Sequence, residues 1–155
     1  MRQSGRTDVP AHRQTDRLAY LIAKLHRFVH SDLEGRLQAS GLSVEQWRVL
    51  ECLGDRTGLA MGELASAVLM NHPALTKMID RMVANGLVHR APDPADQRRV
   101  LVHATDRGAF LVEKLRPLVR EHEKDVAAIL DLPGKAEIEA ALESAGEALA
   151  DKTPA

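Results

Sequence analysis

With 155 residues, 45% hydrophobic and 3% aromatic, the chain suits one domain with an aliphatic core. A net charge of −1 excludes a strongly basic or acidic protein, and the single cysteine, Cys52, excludes an internal disulfide framework. No apolar run reaches membrane-spanning length and the first residues lack a signal-peptide core, so the sequence reads as cytoplasmic, with a loose N-terminus over residues 1–15.

Residues 16–39 form the first predicted helix, with Leu18, Leu21, Ile22, Leu25, Phe28, Val29, Leu33 and Leu37 recurring at three- and four-residue steps on one face. Gly41 ends it. Ser43 and Gln46 fit a capping box for the next helix, and Leu42 can staple onto Trp47. Trp47, Leu50 and Leu53 point inward, and a turn begins after Gly54. A short helix over 61–68 follows, then one over 73–84 with Asn71 as N-cap and Pro73 in its first turn. Asn85-Gly86 stops that helix in the left-handed region.

Strands at 87–91 and 99–104 flank a segment rich in turn formers and read as a hairpin. Thr105 caps a long helix over 106–131, with Phe110, Leu111, Leu115, Leu118, Val119, Val126 and Ile129 inward and a kink expected at Pro117. Leu132-Pro133-Gly134 breaks the chain before a last amphipathic helix over 135–150. The order implies a mainly α fold with a small β-hairpin wing, a winged helix-turn-helix. Residues 1–155 form one domain, with the winged lobe at 43–105 and N- and C-terminal dimerisation helices at 16–42 and 106–150.

Charge is distributed unevenly. Asn71 to Gly108 holds six Lys/Arg against four Asp/Glu, and Ala109 to Ala155 holds six against ten. The helix over 73–84 is the candidate recognition helix. Its early polar residues Asn71, His72, Thr76 and Lys77 suit base edges in a major groove, and Arg81 suits a phosphate or a carboxylate. Leu75, Met78, Ile79 and Met82 occupy its packing face. Arg98 and Arg99 at the hairpin tip suit a narrow minor groove, and Asp96 can fix the tip or hold Arg81.

The segments Gly86-Leu87-Val88-His89-Arg90 and Asp93-Pro94-Ala95-Asp96-Gln97-Arg98-Arg99-Val100-Leu101-Val102, then Thr105 and Gly108, resemble the wing signature of MarR-family regulators. Glu63-Leu64-Ala65 and Leu75-Thr76-Lys77-Met78-Ile79-Asp80-Arg81-Met82 resemble that family's two DNA-binding helices. The likeness spans Leu18 to about Leu130. It implies a triangular homodimer, joined through its terminal helices, that offers two winged lobes to an inverted-repeat double-stranded DNA operator. Most such proteins are repressors released by small, often aromatic or phenolic, ligands. By position, Asp96 and Arg98 match the wing's Asp-x-Arg, and Thr76, Lys77 and Arg81 match the recognition helix. The sequence departs from the family at Ala60, where Thr or Ser usually caps the first of the two helices at a benefit of about 1 kcal/mol. It departs again at His72-Pro73, which bears on operator sequence.

His26 and His30 share a helix face. They read first as solvated or hydrogen-bonded histidines and Trp47 as core; the alternative is a small-molecule pocket lined by His26, His30, Trp47 and Arg48, with the histidines donating to a carboxylate. Two imidazoles fall short of a structural zinc set, so no metal and no cofactor is expected. Cys52 lacks an activating base and reads as an inert thiol. The leading reading is a ligand-responsive DNA-binding repressor. The alternatives are a metal- or redox-responsive regulator of the same fold and a helical interaction module without DNA contact. No Gly-rich phosphate loop, nucleophile motif or acid/base pair suggests an enzyme.

Overall fold

The first of two compact units, residues 1–44, is built on α1 (Arg17–Leu37). The second covers residues 45–155. The structure, a computed structural model, describes residues 17–54 and 58–150, without the side chain of residue 150. The expected loose N-terminus at 1–15 lies outside the described residues.

Apolar spacing makes α1 a helix, but only Leu33 and Leu37 of its stripe are buried. Leu18, Leu21, Ile22, Leu25 and Phe28 are exposed in the single chain. The α-helix stops two residues earlier than expected. Ser40 Oγ donates to the Leu37 carbonyl at 2.6 Å, and a single 3-10 turn, Gln38–Ser40, leads into Gly41 at φ 73°. That left-handed turn is one that glycine adopts without a steric penalty.

Helix α2 (Val44–Leu53), which belongs to the second unit from Glu45 on, starts right after Ser43, where a cap was expected. Trp47, Val49, Leu50 and Leu53 on it are buried. Next come α3 (Met61–Val68) and α4 (His72–Ala84), then β2 (Val88–Pro92) and β3 (Val100–Ala104), each within a residue or two of expectation. One strand was not foreseen. The short β1 (Leu59–Ala60) pairs antiparallel with β3, Leu59 opposite Val102 and Ala60 opposite Leu101, giving a three-stranded sheet in the order β1-β3-β2.

Leu50, Leu64, Leu75, Ile79, Met82, Val88 and Val102 are fully buried, so the core is aliphatic as the composition requires. Each such side chain contributes about 1.5–3 kcal/mol. Helix α5 (Asp106–Ile129) runs through Pro117 as one helix and buries Gly108, Val112, Leu115, Val119 and His122 at three- and four-residue steps. Phe110 was expected inward but is exposed, because it lies about 200° around the helix from Val112. Ile129, also expected inward, is exposed at the helix end. Helix α6 (Lys135–Ala150) leaves Ile138, Leu142 and Leu149 exposed. No helix among the described residues is long and apolar enough to cross a membrane.

Candidate nucleic-acid interface

The recognition-helix candidate α4 is set by its caps and its packing face. Asn71 Oδ1 accepts a hydrogen bond from the Ala74 amide at 2.9 Å, and Pro73 occupies the first turn, where no donor is needed. Leu75, Met78, Ile79 and Met82 are buried, which turns His72, Thr76, Lys77, Asp80 and Arg81 outward. Thr76 Oγ1 donates to the His72 carbonyl at 2.9 Å, so this hydroxyl keeps acceptor capacity for a base edge. Arg81 Nε donates to the Lys77 carbonyl at 3.2 Å, which leaves the rest of its guanidinium outward. The helix closes with Leu87 N on Met82 O and Gly86 at φ 67°.

Helix α3 has no side-chain acceptor at its Ala60 N-cap, as the sequence suggested. The other half of the capping box survives, because the Ala60 amide donates to Glu63 Oε2 at 2.7 Å. Between α3 and α4 the chain turns through Leu69 at φ 56°.

The wing closes at its neck by the Asp93 amide on the Arg99 carbonyl and the Arg99 amide on the Asp96 carbonyl, both 2.9 Å. Asp96 Oδ1 accepts from the Arg98 amide at 3.0 Å. Of the two expected roles for Asp96, the structure shows tip fixing. Arg98 is exposed at the tip, and its guanidinium has no hydrogen bond or ion pair among the described residues. Arg99 was expected beside it as a second minor-groove arginine. Its half-exposed guanidinium lies 3.7 Å from Asp93 and 3.8 Å from Glu63.

Three further pairings carried no sequence signal. Arg90 Nη2 on β2 lies 2.7 Å from Asp80 Oδ1 on α4 and ties wing to recognition helix. His89 and His103 stack across β2 and β3, ring centroids 5.2 Å apart, and the His103 ring lies where a side chain at Gly58 would strike it. Arg107 Nη1 donates to the Asn85 carbonyl at 3.1 Å. None of these three pairings follows from a local period or cap, so only a correct tertiary arrangement reveals them. Thr105 is the expected cap of α5, its Oγ1 accepting from the Gly108 amide at 3.1 Å, and the same hydroxyl donates to the Gly86 carbonyl at 2.7 Å.

The expected ligand residues divide between the two units. In the first, the His26 and His30 rings are 5.5 Å apart, and His30 Nε2 is 3.8 Å from Glu34. In the second, Trp47 is buried and Arg48 is half-buried. An open depression of about 460 Å³ is lined by Glu34, Gly35, Gln38, Gly41, Leu42 and Ser43, none of them an expected ligand residue. Among the described residues no three His, Cys, Asp or Glu side chains cluster as a metal site requires. Cys52 is half-buried.

Residues 42–100, which span α2 to the second wing strand, match the MarR family profile. The HTH-type transcriptional repressor IacR of Pseudomonas putida is 30% identical over 109 residues, which is 70% of this chain and 65% of that protein. A MarR-family transcriptional regulator from Silicibacter pomeroyi, SPO1453, superposes with a TM-score of 0.70 at 34% identity over 85% of this chain and 94% of its own. A mutant MarR of Escherichia coli, solved with operator DNA, superposes with a TM-score of 0.75 at 27% identity over 86% of this chain and 99% of its own. By profile, sequence and fold, the chain belongs to the MarR family of winged helix-turn-helix transcription regulators.

Proposed function

We propose that the protein is a sequence-specific double-stranded DNA-binding transcription regulator. In this reading it is a repressor that acts as a homodimer on an inverted-repeat operator and is released by a small aromatic or phenolic carboxylate. One observation carries the proposal. A single packed lobe presents the polar face of α4 and the unpaired Arg98 tip outward together, with the Asp80–Arg90 ion pair between helix and wing. Asn71, His72, Thr76, Lys77 and Arg81 take the major groove and Arg98 the minor groove, while Asp96 shapes the tip. The likeness to a MarR solved on operator DNA supports this assignment. The repressor role follows the resemblance to IacR, and the exposed apolar stripes of α1 and α6 support a homodimer.

The test is binding to duplexes taken from the flanks of the protein's own gene, measured against salt. Wild type shows log affinity falling linearly with log salt. Arg98→Ala weakens binding and makes the slope shallower by about one per subunit. Unchanged affinity and slope in that variant would remove the DNA reading and favour an interaction module. Release of the duplex by aromatic acids supports the effector class. Release by a chelator or a peroxide favours a metal- or redox-responsive regulator.

A further inference from the structure

Arg99 and Arg98 are adjacent at the hairpin tip, yet the structure gives them different surroundings. Arg98 faces solvent. Arg99 sits between two carboxylates, Asp93 at the hairpin neck and Glu63 on α3. Both carboxylates are already held by backbone. Glu63 Oε2 accepts the Ala60 amide at 2.7 Å, which leaves Oε1 toward Arg99 Nη2. Asp93 Oδ1 accepts the Ala95 amide at 2.8 Å, which leaves Oδ2 toward Arg99 Nη1. The Asp93 side chain is only 12% exposed, so its charge is screened less than that of a surface pair. The main chain of Arg99 also closes the neck of the hairpin.

The rest of the hairpin explains what such a contact does. β1 pairs with β3 at Val102 and Leu101 but no further, so the tip overhangs the three-stranded base. Asp80–Arg90 ties the hairpin to α4. That ion pair and the β1 ladder both hold the hairpin below its tip, so neither fixes the overhang beyond Leu101. A tie from the overhang itself to α3 fixes its angle.

We propose that Glu63, Arg99 and Asp93 form a strut that sets the angle of the wing against the helix-turn-helix. Arg99 is then a positioning residue that aims Arg98 and does not itself touch DNA. The DNA arm of the test rests on the function proposed above; the dynamics arm does not.

Glu63→Gln separates the strut from simple charge. Glutamine keeps an oxygen for the Ala60 amide, so the cap of α3 persists while the charge toward Arg99 is lost. Removing a negative charge near DNA should by itself tighten binding. The strut requires the opposite, a weakening of about two- to fivefold, the range for one partly exposed ion pair, with the salt slope unchanged. Arg99→Ala likewise weakens binding at constant slope, and the double variant loses no more than the larger single loss. In the free protein, NMR order parameters for the amides of residues 95–99 fall in Glu63→Gln and in Arg99→Ala, from near 0.85 toward about 0.6, but not in Arg98→Ala. Tighter binding by Glu63→Gln, a slope shallower by about one in Arg99→Ala, or unchanged order parameters in both would each overturn the strut. A wild type that binds no duplex counts against DNA recognition alone, and the order parameters still decide the strut.

Discussion

Leu69 combines two properties that rarely coincide in a leucine. It is 90% exposed, and it is the one non-glycine with positive φ among the described residues. The left-handed backbone places Cβ close to the following carbonyl at a cost of about 1–2 kcal/mol, and an exposed side chain regains little of it through burial. Leu69→Gly therefore raises stability by up to about 1 kcal/mol, since glycine gives back part of the gain as chain entropy. A denaturant midpoint that falls or stays put would show that Leu69 has a compensating contact. The sequence signals at this scale were uneven. Asn71, Asn85-Gly86 and Thr105 were legible as caps because each rule involves neighbours within four residues. The direction of the Arg99 guanidinium was not legible, because its carboxylate partners lie on α3 and at the hairpin neck.

Among the elements, the wing depends on its seat against α5. Thr105 bonds back to the Gly86 carbonyl, and its amide donates to Leu87 O at 3.0 Å. Gly108, one turn later, lets the helix backbone approach that segment. A Cβ there would strike the Leu87 carbonyl and press on Leu50 Cδ2 at 3.0 Å. Gly108→Ala is expected to destabilise the protein by about 1–3 kcal/mol, although alanine is the better helix former by about 1 kcal/mol. Thermal unfolding checks this, and a rise in midpoint would mean the contact relaxes freely. The resemblance drew attention to Thr105 and Gly108 as sequence positions. The contact with the Leu87 backbone supplies their physical reason. Strand β1 has no local signal, since two residues show no alternation and pair only because β3 lies alongside.

At the scale of the whole molecule, two helices expose apolar residues in the single chain. Leu18, Leu21, Ile22, Leu25 and Phe28 on α1 form one stripe, and Ile138, Leu142 and Leu149 on α6 form another. Under the proposed homodimer these faces are buried against a second copy. Sedimentation at micromolar concentration should then report a dimer. Leu142→Glu, which alters a half-exposed residue, should shift the protein toward monomer without changing its helical circular dichroism. A wild type that sediments as a monomer would remove the dimer and with it the inverted-repeat operator.

The helix order, the wing and the inward face of α4 were readable from the sequence because each follows from short-range periods and caps that act within one or two turns. Two things needed the folded chain: the third strand and the different surroundings of Arg98 and Arg99. They depend on which distant segments come to lie side by side. Ladder pairing, burial and ion pairs between residues far apart in sequence are properties of that arrangement, and no local period encodes them.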